Sequence, residues 1–269
     1  MTIKEALTLA KKRLQEHENE ALFILCEHLG RDRTWLFFNE NLEFSAREYF
    51  ALIERFADGE PFEYIFKKAS FWGLDFEVEE GVLIPRYDSE ILLMQLLEFC
   101  RNKKPKNILE IGFGSGILSI ILAKELGLEI TACDINDKAL KIAQQNAIKH
   151  KVAHLINFHL SDFKDLRGEF ELIFSNPPYI KASYKLDKWT QKEPKNALFG
   201  GEDGHEILES IIEFSFQKGV KFLACEMGHD QKKILAQSLQ KHNFEAKFFQ
   251  DERGFDRAFF AHNLLTFSQ

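Results

Sequence analysis

Apolar and polar residues follow two different periods along this chain. Over the first sixty residues the period is helical. Ala21, Leu22, Leu25, Cys26 and Leu29 recur at helical spacing and stop at Gly30, a residue suited to a helix C-terminus. Ser45-Ala46-Arg47-Glu48 has the pattern of a capping box, with Tyr49, Phe50, Leu52, Ile53 and Phe56 on one face beyond it and Gly59 after them. These patterns predict a small helical domain over residues 1–60 with its own apolar seam.

The period changes near Pro61. The stretch "FWGLDFEVEEGVLIPR" alternates apolar and polar residues around Glu80-Gly81, which predicts a β-hairpin within a linker over residues 61–87. Beyond it the two periods take turns. A helix is expected over 89–101, a strand over 107–111, a helix over 116–126 and a strand over 129–133. Strands follow at 154–160, 170–174 and 220–226, with helices near 204–216 and 231–241, and two strand-like runs end the chain. Strands alternating with helices imply an α/β fold over residues 88–269, a doubly wound and mostly parallel sheet with helices on both faces. In such sheets ligands bind beyond the carboxyl ends of the strands, near the switch in strand order.

Composition narrows the class. The chain has 269 residues, 45% of them hydrophobic and 29% charged, enough for one large domain or two smaller ones. A formal net charge of -7 argues against duplex DNA or folded RNA as the main partner, because phosphate binding needs clustered Lys and Arg. The four cysteines, Cys26, Cys100, Cys133 and Cys225, are scattered without zinc-ligand spacing and read as small buried hydrophobes. The nine histidines form no HExxH cluster, so no metal site is expected. The first twenty residues are charged throughout, and no window is apolar for the roughly 18 residues a membrane span needs. A cytoplasmic protein without membrane contacts is the expectation. The 27 phenylalanines read as core filling.

Two stretches carry chemistry. In "NILEIGFGSGILSI" a strand ending at Glu110 runs into Gly112, Gly114 and Gly116 and then a helix. Glycine suits a backbone that turns tightly and approaches a ligand. The third glycine comes one residue too early for a dinucleotide fingerprint, and the Lys-Ser/Thr of a P-loop is missing, so a pyrophosphate is not the expected ligand. Asp134, at the tip of the next strand, is placed to accept hydrogen bonds from ribose hydroxyls, with capping of the following helix as the alternative. Phe163, after Ser161-Asp162, offers a ring to stack on an adenine, or is simply core. The second stretch is "FSNPPYIKA", where a core strand halts at Asn176-Pro177-Pro178-Tyr179. Two prolines end a strand because neither donates to a ladder. They do not by themselves account for the Asn and the Tyr.

The glycine turn, the acidic strand tip and NPPY together resemble the class I S-adenosylmethionine-dependent methyltransferases, whose sheet is Rossmann-like. NPPY marks members that methylate planar nitrogens, either base amines or the glutamine amide. The flanks "GEPFEYIFKKASFWGLDFEVEEGVLIPRYDSEIL" and "EPKNALFGGEDGHEIL" resemble the bacterial release-factor N5-glutamine methyltransferases over nearly the whole chain. That resemblance implies methyl transfer from S-adenosylmethionine, leaving S-adenosylhomocysteine, to the glutamine of the Gly-Gly-Gln loop in class I release factors. It also implies cofactor binding by Gly112, Phe113, Gly114, Ser115, Gly116, Asp134, Phe163 and Asn176, and catalysis by Asn176, Pro177, Pro178 and Tyr179. By the same resemblance the N-terminal helices and hairpin grip the release factor, and a monomer is expected. A ribosomal-protein glutamine methyltransferase and a DNA or RNA adenine methyltransferase are the alternatives. The family's usual IPRPDTE is here Ile84-Pro85-Arg86-Tyr87-Asp88-Ser89-Glu90, the usual Thr of the glycine loop is Phe113, and Phe163 stands where relatives often carry Trp.

Overall fold

The computed structural model describes residues 1–267 and divides into two compact units. The first holds Met1–Lys68 and, from far along the chain, Leu186–Lys192. It contains α1 (Ile3–Leu14), α2 (Glu18–Leu29), α3 (Arg33–Phe38), α4 (Arg47–Ala57) and α5 (Phe62–Phe66). Ile3, Ala6, Ala10, Ile24, Leu25, Tyr49 and Ile53 form its core. The buried Tyr49 hydroxyl is satisfied by the Ala21 carbonyl at 2.9 Å. Gly30 closes α2 in the left-handed conformation (φ 61°), as its position suggested.

The capping box expected at Ser45 does not form. Ala46 is the N-cap of α4 and makes no side-chain cap, so Ser45 sits one position too early for its hydroxyl to reach the N3 amide. The reciprocal box occurs instead at α1, between Thr2 and Glu5. The returning segment enters this core through Trp189. Its ring lies 5.1 Å from Phe56 and 4.3 Å from His17, and its Nε1–H donates to the Phe56 carbonyl.

The second unit holds Ala69–Lys185 and the chain from Glu193 onward. It opens with β1 (Lys68–Phe71) and β2 (Leu74–Glu77), a pair joined by two residues and therefore antiparallel. Its turn is Trp72-Gly73, not Glu80-Gly81. Both turn residues have positive φ, 53° and 70°, the twist that lets a two-residue loop join paired strands. Glu80-Gly81 instead makes a turn tied to a later helix.

The rest is α6 (Ser89–Lys103), β3 (Ile108–Ile111), α7 (Ile117–Leu126), β4 (Ile130–Asp134), α8 (Asp137–Lys149), β5 (Ile156–Leu160), β6 (Leu172–Ser175), β7 (Ile180–Lys181), β8 (Phe199–Gly201), α9 (Glu206–Gln217), β9 (Phe222–Glu226), α10 (Lys232–Lys241), β10 (Phe244–Gln250) and β11 (Asp256–Asn263). Seven strands form one sheet in the order β10-β11-β9-β6-β3-β4-β5. Neighbours from β9 to β5 run parallel, while β11 is antiparallel to both β9 and β10. All four residues of β3 are buried, as a strand covered on both faces requires. Ile108 packs with α6, α7 and α8 residues such as Leu92, Ile120 and Ile142, whereas Leu109 and Ile111 pack with Leu208, Ile212 and Leu235 of α9 and α10. The strand order reverses between β3 and β6, so the crevice for a ligand opens at the carboxyl ends of β3, β4 and β6. Among the described residues no helix is long and apolar enough to cross a membrane.

Candidate active site

The glycine turn after β3 divides its labour. Gly112 and Gly114 have φ of 72° and 53°, and a β-carbon on either would meet nothing within 4 Å, so open space faces both. Gly116 serves packing instead: a β-carbon there would come within 3.0 Å of Ile120 Cδ1 and 3.1 Å of Ala143 Cβ, at the contact of α7 with α8. Phe113 and Ser115, though part of the turn, are buried. The Phe113 ring packs edge-on to Phe158 at 4.9 Å, and the Ser115 carbonyl accepts from Asn146 Nδ2.

Asp134 closes the turn electrostatically. Its Oδ2 accepts the Gly114 N–H and its Oδ1 the Asn136 N–H, each at 2.9 Å. Burial raises its pKa, and those backbone donors oppose the shift. It does not cap α8, because Asn136 does so by accepting from the amides of Lys138 and Ala139. Behind the turn, burial pushes Glu110 up to about 8, while the Ser119 hydroxyl donates to its Oε2.

A cavity of about 190 Å³ lies at these strand tips. It is lined on one side by Gly112, Gly114, Asp134 and Phe163, and on another by Asn176, Pro177 and Pro178. The two sequence constellations thus meet in one space. Phe113, Ser115 and Gly116 stand outside its lining, and so does Tyr179. Phe163 shows one flank to the cavity and packs the other edge-on to Phe214 at 5.2 Å.

The corner after β6 is tied on every side. The Ser175 hydroxyl donates to the Ile111 carbonyl at 2.7 Å, fixing the end of β6 to the glycine turn. Asn176 Nδ2 donates to Ser89 Oγ at 2.9 Å, and the Tyr179 hydroxyl donates to Glu226 Oε1 at 3.0 Å. The charge of Glu226 and burial together raise the Tyr179 pKa well above its ordinary value.

Several lining groups escaped the reading by motif. Val82 and Leu83 follow the Glu80-Gly81 turn, which α8 holds: Asn136 Nδ2 donates to the Gly81 carbonyl at 2.7 Å. Asn196, Ala197, Ile207 and Ile211 come from the "EPKNALFGGEDGHEIL" stretch. The glycines of that stretch have a local cause. A β-carbon on Gly200 would lie 2.5 Å from the Pro178 carbonyl oxygen, and one on Gly204 would lie 2.6 Å from that of Tyr179. Ile180 N–H also donates to the Leu198 carbonyl, so the loop is laid directly against NPPY. Arg86, whose task the sequence left open, pairs with the buried Glu193, which also accepts the Ile84 N–H at 3.0 Å. Ser161 Oγ lies buried at the cavity without a hydrogen-bond partner among the described residues.

The donor set fits an S-adenosylmethionine-like ligand. Open glycines, a half-buried ring, a carboxylate with spare acceptor capacity and the orphaned Ser161 hydroxyl suit a flat base on a ribose.

Comparison with known proteins agrees with this geometry. Residues 5–66 match the PrmC N-terminal domain, and residues 87–193 match the methyltransferase small domain. The release factor glutamine methyltransferase of Dictyoglomus turgidum is 36% identical over 239 residues, covering 82% of this chain and 83% of its own. That of Buchnera aphidicola is 35% identical over 274 residues, covering 97% and 98%. Among solved structures, the hMettl16 catalytic domain in complex with a MAT2A 3'UTR hairpin superposes with a TM-score of 0.57 at 17% identity, over 71% of this chain and 76% of that one, a likeness of fold alone. With full-length relatives of this kind and both strand-tip constellations facing one cavity, the chain belongs to the release factor glutamine methyltransferase family.

Proposed function

We propose that the protein transfers a methyl group to the side-chain amide nitrogen of the glutamine in the Gly-Gly-Gln loop of class I release factors. The observation that carries this reading is the single cavity shared by the glycine turn and the NPPY corner. S-adenosylmethionine, when bound, supplies an electrophilic methyl on a sulfonium sulfur. Gly112 and Gly114 would let it approach closely, the Asp134 carboxylate would accept from its ribose hydroxyls and Phe163 would cover its base. Phe113, Ser115 and Gly116 shape the turn from behind.

An amide nitrogen is a poor nucleophile because its lone pair is shared with the carbonyl. Asn176 Oδ1 and the Pro177 carbonyl accept the two N–H groups, hold the lone pair toward the methyl and stabilise positive charge on nitrogen. Pro177 and Pro178 fix that carbonyl and remove competing donors, and the half-buried Tyr179 ring backs the flat amide. With the cofactor bound, the amide nitrogen so held would take the methyl as its bond to sulfur breaks with the electron pair leaving on sulfur, and solvent would accept the proton from the alkylated nitrogen. We assign release-factor recognition to the N-terminal helices and the hairpin. We read the enzyme as a cytoplasmic monomer that acts without nucleic-acid contacts, in keeping with its net charge of -7.

The test is incubation with labelled S-adenosylmethionine and, separately, a release factor, its Gly-Gly-Gln glutamine-to-alanine form, ribosomal proteins and DNA. Label on the wild-type factor alone is expected. Label on the ribosomal proteins or DNA in its place overturns the reading.

A further inference from the structure

Glu193 is a buried carboxylate that the methyl transfer as proposed does not use. Its side chain is 2% exposed, and its two oxygens serve different partners. Oε2 accepts the Ile84 N–H at 3.0 Å, and Oε1 pairs with the Arg86 guanidinium. Ile84 directly follows Val82 and Leu83, which line the cavity. Glu193 leads through Pro194 into a single 3-10 turn, Lys195–Ala197, whose Asn196 and Ala197 line it too. Arg86 opens the way into α6: its carbonyl accepts the Ser89 N–H at 3.1 Å, and Ser89 Oγ accepts from Asn176 Nδ2. One carboxylate therefore joins two stretches of the cavity lining and, through Arg86, the turn that anchors Asn176.

Residues 83–86 are neither helix nor strand, so their backbone groups depend on side chains and turns for partners. The stretch is fastened at both ends. Asn136 Nδ2 holds the Gly81 carbonyl at 2.7 Å on one side of Val82 and Leu83, and Glu193 holds Ile84 and Arg86 on the other. Asn136 also gives its N–H to Asp134 Oδ1, so the first fastening is continuous with the acidic strand tip. Lifting the stretch at its second end would strip the buried carboxylate of an N–H and a guanidinium together, and a buried charge left unpaired is costly. The paired carboxylate therefore favours the closed arrangement.

We propose that Glu193 is a positioning residue which, through Ile84 and Arg86, holds residues 82–86 as a strap along the cofactor cavity and so sets how long the cofactor stays. The inference rests on the cofactor reading of that cavity under Proposed function. The two members of the pair are unequal. The Arg86 side chain is 38% exposed and can turn to water, whereas Glu193 at 2% cannot. Removing Arg86 alone leaves a buried charge uncompensated. Glu193→Gln removes that charge, keeps an acceptor for the Ile84 N–H and leaves an arginine that water solvates. It therefore loosens the strap with the smaller loss of stability.

The test compares wild type, Glu193→Gln, Arg86→Gln and the double variant as full chains. Release of labelled S-adenosylhomocysteine is followed after a chase with unlabelled excess, together with the amount initially bound. Hydrogen exchange of residues 79–88 is read without ligand, and thermal melts are taken on the same samples. Glu193→Gln should speed release by about tenfold, the scale of one lost charge-assisted contact, with the bound amount unchanged. Exchange over 79–88 should quicken while β3 and β4 keep their protection. Arg86→Gln should release at least as fast and melt lower than Glu193→Gln, and the double variant should regain the lost melting temperature. Wild-type release from Glu193→Gln overturns the inference. So does a smaller bound amount released at the wild-type rate, the mark of a merely structural defect. If Glu193→Gln does not fold, wild-type release from Arg86→Gln overturns it. Should wild type bind S-adenosylhomocysteine yet leave release factors unlabelled, the substrate reading fails, while the release rates still decide this one. Should it bind no S-adenosylhomocysteine, both the cofactor reading and the residence-time claim fail.

Discussion

At the scale of single residues, the chemistry comes down to where a few polar atoms point. Asn176 both lines the cavity and is anchored through its NH₂, so truncation removes the acceptor while Gly112, Gly114 and Asp134 stay in place. Asn176→Ala should lower turnover on a release factor by about a hundredfold to a thousandfold, the range for losing one preorganised group at a reacting centre. Cofactor affinity, measured by calorimetry, should stay within a few-fold. Buried carboxyls make a second residue-scale prediction. Burial raises Glu110 to about 8 from an ordinary 4.5, so the folded protein holds a proton that the unfolded chain has released. Stability should therefore fall as pH rises from about 4.5 to about 8, by at most about 1.4 kcal/mol per pH unit. Denaturant melts of Glu110→Gln should show a shallower fall over that window than wild type.

At the scale of elements, the site depends on close backbone contact between stretches far apart in sequence. Gly200 is the sharpest case, since a β-carbon there would lie 2.3 Å from the Gly204 carbonyl oxygen and 2.5 Å from that of Pro178. Both are backbone atoms and cannot swing aside. Gly200→Ala should displace the NPPY corner, lowering kcat at least tenfold and the melting temperature with it. Turnover and thermal melts on the same sample check this. The glycines of "FGGEDG" read in the sequence as loop composition; their cause is the surface they lie against. The expected capping box at Ser45 and the expected hairpin turn at Glu80-Gly81 failed for a related reason. Short patterns fix which residues favour a cap or a turn, whereas a one-residue offset decides which of them performs it. Ala46 took the cap, and Trp72-Gly73 took the turn because their positive φ matches the twist of paired strands.

At the scale of the whole molecule, the chain does not divide where a linear reading would divide it. Residues 1–60 contain most of the helical core, yet Leu186–Lys192 returns to complete it through Trp189. Trp189→Ala should destabilise the first unit by roughly 2–3 kcal/mol, since a large half-buried ring is lost from its core. Hydrogen exchange should show α1 and α4 losing protection while β3 and β4 keep theirs. Their unchanged protection is the comparison that separates a local effect from a global one.

The sequence by itself determined the alternation of strands and helices, because buried strands and amphipathic helices write their period into every few residues. It also determined the two chemical signatures, the glycine turn with Asp134 and the corner at Asn176, because each lies within one contiguous stretch. Tertiary structure alone decided that these stretches share a cavity, and that Phe113 faces core while Phe163 faces that cavity. It alone brought in Ser89, Arg86 with Glu193, Gly200 and Glu226. Those partners lie from 22 to 107 residues away from the groups they serve, and no local period records a contact of that range. Sheet pairing at the switch in strand order is what closes the distance.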